Sequence, residues 1–426
     1  MSLAAAAAPV GAAGARALGP GSVELGGAIA HYGNVAGEYR SLCAGQALVD
    51  LGHMEVVTVC GPDRLSWLTT LSTQDVRALA VGESRELLIL DPNGRIEHAA
   101  FVLDDGACTY LVMDAGRAQP CIDFLLSMRF MLRVEVAPRP DLRVVGAALH
   151  ADFVADVAAP AQQVPPPGGE AVAVAAAESG GAGATDEHGA LRAALRRYLG
   201  ELTGSELVWV DPWPGPDARS ATYFFGGHPA LRSAVGCALV PAAASLPGIE
   251  SGRASCAGFL AWEALRVERW RPRLGREVDE RAVPHELDWL RSSVHLDKGC
   301  YRGQEAVARI VNLGRPPRRL AFLHLDGSQD VLPGLGAQVF AGADAQGRPV
   351  GVVTSAVLHP ELGPVALALL KRSVEAECAL TVRAVVTTEA GEEAVELAAA
   401  QEEIVHLAGK SSVSPAQRPG AELRGR

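Results

Sequence analysis

No two of the eight cysteines form a C-x-x-C pair; they are scattered at positions 43, 60, 108, 121, 237, 256, 300 and 378. That scatter offers neither a zinc-ligand spacing nor a disulfide framework, and it suits a reducing cytosol. Several, such as Cys60 in Val-Val-Thr-Val-Cys, sit in apolar runs and read as small core residues. Nor does any apolar run approach the ~20 residues that span a bilayer. The Ala-rich N-terminus lacks the basic start of a secretory signal, so a cytoplasmic protein with no membrane contact is expected. A basic excess is missing as well. The formal net charge of −11 argues against a general nucleic-acid binder, whose affinity would rest on neutralising phosphates. Aromatics make up only 5% of the chain, yet 49% is hydrophobic, enough to bury sizeable cores.

What is present suggests two or three domains in 426 residues. Residues 1–30 are Ala, Gly and Pro with little to bury, and read as a disordered tail. Glu55–Cys60 reads as a strand, and Gly61-Pro62-Asp63 opens a helix through Trp67, Leu68 and Leu71, with Pro62 at the first helical position. A meander follows, with turns at Asp91-Pro-Asn-Gly94 and Asp104-Asp-Gly106, and then a helix over 121–130. Hairpins mixed with helices in this way indicate an α+β fold rather than a doubly wound sheet. Residues 155–185, including Val164-Pro-Pro-Pro-Gly-Gly169, carry almost no bulky apolar residue and read as a disordered insertion. Helices are expected at 191–199, 229–235 and 255–269, and short strands with glycine turns suggest a small β-barrel over 316–405. Residues 406–426 read as a second disordered tail.

The densest chemistry lies in Asp297-Lys-Gly-Cys-Tyr-Arg-Gly-Gln-Glu-Ala-Val-Ala-Arg309. Cys300 sits between Gly299 and Gly303, which leave room for a ligand or a tight turn. Lys298 and Arg302 flank it, and cations beside a thiol stabilise the thiolate. A helix starting near Gly303 would direct its positive end the same way and bring Glu305 and Arg309 onto one face. From Arg291 to Arg319 seven Arg or Lys stand against two acids, so the surface here should favour an anionic ligand. A cysteine-nucleophile enzyme would need a base within reach of Cys300. His285 and His295 are the nearest in sequence, and neither sits in a recognisable nucleophile motif.

Lys298-Gly-Cys-Tyr-Arg-Gly-Gln-Glu305 resembles the Lys-Gly-Cys-aromatic-x-Gly-Gln-Glu signature of the YgfZ family. These are folate-binding proteins related to the glycine-cleavage T-protein, with roles in maintaining iron–sulfur enzymes. Asp50-Leu-Gly-His-Met54 is similar to the Asp-Val-Ser-His-Met run of T-proteins, and Glu263-Ala-Leu-Arg-Val-Glu268 to their Glu-Ala-Leu-Arg-Leu-Glu helix. Trp270 stands where relatives often carry glycine. The resemblance implies two intertwined ferredoxin-like α+β halves over 31–315 that form a folate channel, followed by the small C-terminal β-barrel.

It also implies tetrahydrofolate, or a polyglutamylated folate, as ligand, with Arg266, Glu268, His53, Met54 and Tyr301 around it. Cys300 would be the working group, supported by Lys298, Arg302, Gln304 and Glu305. Folate carboxylates would face Arg266 and the basic segment 291–319, since a guanidinium donates two parallel hydrogen bonds to a carboxylate. The implied partners of a monomeric protein are iron–sulfur client or assembly proteins. One cysteine supplies only one of the usual four cluster ligands, so transient or shared ligation is expected rather than storage. The second reading is an aminomethyltransferase or another folate-dependent one-carbon transferase. Against it, Gly94-Arg-Ile-Glu-His-Ala99 stands where T-proteins carry Gly-Gly-Ile-x-Asp-Asp, and no Gly-Tyr-Thr-Gly-Glu element is present.

Overall fold

A computed structural model describes residues 16–17, 28–154, 182–215, 219–312, 315–388 and 391–415. Its β-rich runs, closed by turns, build two five-stranded sheets and a closed six-stranded barrel. The first sheet runs in the order Arg85–Leu90, Ile96–Asp104, Cys108–Met113, Glu55–Cys60, Glu135–Pro138, all antiparallel. The second runs Val208–Val210, Ser233–Pro241, Leu142–His150, Ala47–Asp50, Ser255–Ala257, with only the last pair parallel. The strand Ala47–Asp50 precedes the first sheet in the chain yet belongs to the second. That crossing intertwines the two α+β halves, as the resemblance implies. The barrel comprises Arg318–Leu325, Gln338–Ala341, Gly351–His359, Gly363–Lys371, Leu380–Thr388 and Gly391–Glu403.

The longer helices among the described residues cover these sheets: α1 (Val35–Cys43), α2 (Arg64–Leu71), α3 (Ala118–Ser127), α4 (Ala182–Thr203), α5 (Phe259–Glu268) and α6 (Gln304–Asn312). Helices α2 and α3 bury Trp67, Leu68, Ile122 and Leu125 against Val57, Leu111 and Met113 of the first sheet. Helix α4 buries Leu191, Leu195, Leu199 and Leu202, spaced by three or four residues, on the second sheet. The largest core, containing Trp209, Trp213, Phe259 and Trp289, fills the space between the sheets and reaches the barrel wall at Phe322 and Leu367.

Several expectations change. The run 255–269 is not one helix: Ser255–Ala257 pairs with Ala47–Val49 as a strand, and α5 starts only after Gly258. Residues 229–235 form a short 3-10 turn, Pro229–Arg232, that passes directly into the strand Ser233–Pro241. Helix α2 starts at Arg64 behind Asp63, so Pro62 lies outside it. Cys60 and Cys108, opposite each other on neighbouring strands, are joined by a disulfide with Cα atoms 4.2 Å apart. The linear scatter of cysteines hid this pair because the register crosses 48 residues.

The expected tail from 406 onward is docked as far as residue 415. His406 and Ser412 donate backbone hydrogen bonds to Tyr223 and Thr222 carbonyls, and Ser414 Oγ donates to the Val311 carbonyl. Within the N-terminal tail, Arg16–Ala17 pairs with Ile29–His31. Most of the expected insertion, 155–181, and most of the two expected tails, 1–15, 18–27 and 416–426, lie outside the described residues. The last residues of the insertion, 182–185, open α4. Among the described residues no helix is long and apolar enough to cross a membrane.

Candidate functional site

A cleft of about 840 Å³, counting its open mouth, lies between the two sheets and α5. The helical repeat places Phe259, Trp262, Glu263 and Arg266 on one face of α5, and all four line the cleft. Beyond the helix the chain runs Arg269-Trp-Arg-Pro-Arg273, and the three alternate arginines also turn inward. Trp270 between them adopts φ +54. Its ring is held 5.1 Å from both Phe224 and His228, which keeps this uncommon backbone in place. The facing wall is aromatic, with Phe101 stacked on Trp209 at 3.8 Å between ring centres. Trp209 belongs to one sheet and Phe101 to the other, so the stack exists only once both halves are assembled.

Most charges in the cleft neutralise one another. Arg266 makes a two-point contact with Glu263, both at 2.9 Å, and further bonds to Glu277 at 3.1 Å and Ser355 Oγ at 2.6 Å. Burial alone would raise the Glu263 carboxyl, but Arg266 and Arg273 hold it down at about 2. Arg271 bonds Glu86 at 2.6 Å and Asp211 at 3.1 Å, with Glu86 also receiving the Ser292 hydroxyl at 2.7 Å. Some polar groups remain open. The donors Arg273 Nε and Nη2 and Arg271 Nη1, and the ring nitrogen His53 Nδ1, are buried without a hydrogen-bond partner. Burial also lowers the His53 imidazole to about 4, so it is neutral at pH 7.

The expected site residues fall in three places. His53, Met54 and Arg266 line the cleft. Arg266, however, already has its donors engaged by Glu263, Glu277, Ser355 and the Arg271 carbonyl, so it is not free to receive a folate carboxylate. Glu268 points to the barrel instead, accepting from Tyr39 at 2.6 Å and contacting His359 Nε2 at 3.3 Å. The remainder form a separate loop. Cys300 is exposed, Tyr301 is buried, and Gln304 and Glu305 begin α6 at the surface.

The flanking cations serve that loop rather than the thiol. Lys298 is buried, and its Nζ donates to the carbonyl oxygens of Thr69, Ser72 and Gln74, which are open acceptors at the end of α2. Its ammonium also lies 4.8 Å from the Tyr301 ring centre. Arg302 pairs with Glu97 at 2.5 Å. Three more cations of the basic segment are similarly committed, Arg291 to Asp288, Arg318 to Asp279 and Glu286, and Arg319 to Gln401 and a backbone carbonyl, while Arg309 and Arg315 are exposed. The expected anion-attracting face of 291–319 is therefore largely an internal ion-pair framework. His285 is buried with its Nε2 facing the Val307 carbonyl at 3.1 Å, and burial lowers it to about 4. No bond links it to Cys300.

Residues that the sequence alone did not single out complete the cleft: Glu86, Asp114, Asp211, Arg269, Arg271 and Arg273. One signal was available, namely four arginines within eight residues, 266 to 273. His98 is buried behind the cleft wall, lowered to about 4 by burial and by Arg117 and Arg302, while Ala99 lines the cleft.

No family model matches the chain. A solved structure of the glycine cleavage system aminomethyltransferase T from Bartonella henselae superposes with a TM-score of 0.59, covering 91% of this chain and 93% of that one at 19% identity. The fold is that of an aminomethyltransferase. Sequence similarity runs the same way. An aminomethyltransferase of Herpetosiphon aurantiacus is 27% identical over 362 residues, 84% of this chain and 88% of the relative. One from Streptomyces avermitilis is 27% identical over 347 residues, 79% of this chain and 81% of the relative. The aminomethyltransferase-like architecture thus extends across both sheets and the barrel.

Proposed function

We propose that this protein binds a reduced folate in the cleft and acts as an accessory factor for iron–sulfur proteins through Cys300. The observation that carries the folate reading is the cleft itself: stacked aromatic walls beside buried donors that have no protein partner, in a fold shared with aminomethyltransferases. Large planar faces suit a pterin and an aminobenzoyl ring, and unpaired buried donors call for an acceptor from a ligand. Tetrahydrofolate bound there would supply a carrier for one-carbon units. The chain's own residues would clamp its rings, exclude water and keep His53 neutral beside it.

The accessory role is supported by the construction of the cysteine loop. Its lysine, tyrosine and arginine anchor the backbone, leaving Cys300 exposed for a partner. Aminomethyl transfer is the second reading, favoured by the relatives' similarity. Against it stands the wall at 98–99, which offers a neutral imidazole facing away and a methyl group.

Titration of the purified protein with tetrahydrofolate tests the ligand, and absence of binding would sink the reading. Cys300→Ser should fold normally and bind folate, yet fail to restore iron–sulfur enzyme activities in a deletion strain. Full restoration would remove the role of the thiol. Release of ammonia from an aminomethylated lipoyl carrier, at a rate matching a true T-protein, would favour the second reading.

A further inference from the structure

Four acids line the cleft, and three are held by hydrogen bonds of 2.6–3.1 Å. Glu86 receives Arg271 and Ser292, Glu263 receives both forks of Arg266, and Asp211 receives Arg271 and the Trp213 amide. Asp114 differs: its contacts are Arg273 Nη1 and the Gly275 amide, each at 3.4 Å, the outer limit of a hydrogen bond. A carboxylate offers about four lone-pair sites, and these two long contacts leave the Asp114 oxygens the least engaged of the four acids. Beside it, Arg273 keeps Nε and Nη2 unpartnered, and the neighbouring His53, 8% exposed, keeps Nδ1 unpartnered. An acceptor and a donor, both largely buried in the cleft wall, therefore stand side by side without sufficient protein partners.

Resting on the folate reading above, we infer that the Asp114–Arg273 pair reads the 2-amino-4-oxo edge of a reduced pterin. That edge presents a ring N–H and an amino group next to each other, which fit a carboxylate at two points, and a carbonyl oxygen, which fits an arginine N–H. A ligand carboxylate fits less well, because it would lie against the negative charge of Asp114, which already balances Arg273. The same two residues thus select a neutral donor–acceptor edge and leave the acidic tail of the ligand to lie elsewhere. Phe259, 5.7 Å below the Arg273 guanidinium, keeps the fork flat against the cleft wall.

The test compares tetrahydrofolate with its 2-desamino-2-methyl analogue by calorimetry on the full chain. Wild-type protein should prefer tetrahydrofolate by about 10- to 100-fold, the value of hydrogen bonds to a charged group. Asp114→Asn should remove most of that preference, and Arg273→Gln should weaken both ligands, with melting temperatures checking the fold. Arg273→Lys keeps the charge but loses the fork, and should weaken binding even if the glutamine variant does not fold. Equal affinity of the wild type for the two ligands, or a preference that survives Asp114→Asn, would overturn the inference while leaving folate binding intact. Failure of the wild type to bind tetrahydrofolate at all would overturn the folate reading, and this inference with it.

Discussion

Arg266 illustrates how a residue expected from the sequence to hold a ligand is used as an internal tie. Its guanidinium joins Glu263 on its own helix to Glu277 and to Ser355 on the barrel, and Ser355 and Thr354 in turn donate to Glu277. Removing one partner of a buried ion pair leaves the other charge uncompensated, which costs about 3–5 kcal/mol. Arg266→Gln should therefore lower unfolding stability by about that amount in denaturant titrations. It should change tetrahydrofolate affinity less than Arg273→Gln does. A large affinity loss with little destabilisation would return Arg266 to the ligand. Cys300 is read from the opposite situation. Cys43 and Cys121 are buried thiols pushed up to about 12 by desolvation, whereas Cys300 is exposed. Alkylation of the native protein should label Cys300 first. Mass spectrometry finding another cysteine labelled faster would contradict this.

At the scale of elements, the cysteine loop is placed by packing against parts far away in the chain. Gly303 has φ +84, and a Cβ there would lie 2.6 Å from the Asp91 carbonyl oxygen in the Asp-Pro-Asn-Gly turn. Across the same contact a Cβ on Gly94, φ +81, would lie 2.8 Å from Ala306 in α6. Turn and helix therefore interlock through two backbone positions without side chains. Gly303→Ala should cost about 1–3 kcal/mol from backbone strain alone, with the steric contact added. It should also loosen the loop, seen as a changed alkylation rate at Cys300. An unaltered melting temperature and rate would show that the interlock is not structural. Lys298 does a related job from the other side. Its ammonium closes the carbonyl end of α2, so Lys298→Met should destabilise α2 and the loop together, measurable as faster amide exchange in both.

For the whole molecule, buried histidines set the acid limit. His53, His98, His188 and His285 are each lowered to about 4, chiefly by desolvation, from an ordinary value of 6.5. Between those values the unfolded chain binds more protons than the folded one, so stability falls as pH drops from 6.5 towards 4. Each group contributes up to about 1.4 kcal/mol per pH unit in that window. The melting temperature should fall steeply over it, and His98→Gln should flatten the slope. A melting temperature independent of pH there would contradict the buried, neutral imidazoles.

Sequence pattern alone determined the α+β class, the meander, α2, α6 and the barrel, because two-residue and 3.6-residue periods and turn residues are local properties. It also singled out Cys300, whose setting of glycines and charges lies within a few adjacent positions. What only the tertiary structure decided is the partner of each charge. Arg266 and Arg273 look equivalent in the run from 263 to 273, yet one is enclosed by Glu277 and Ser355 while the other is left with open donors. Lys298 likewise stands next to the cysteine in sequence and reaches a helix end more than 220 residues earlier. Hydrogen bonding of a buried charge depends on which distant backbone and carboxylate groups are brought within about 3 Å. That is a property of the assembled sheets and barrel rather than of neighbouring residues.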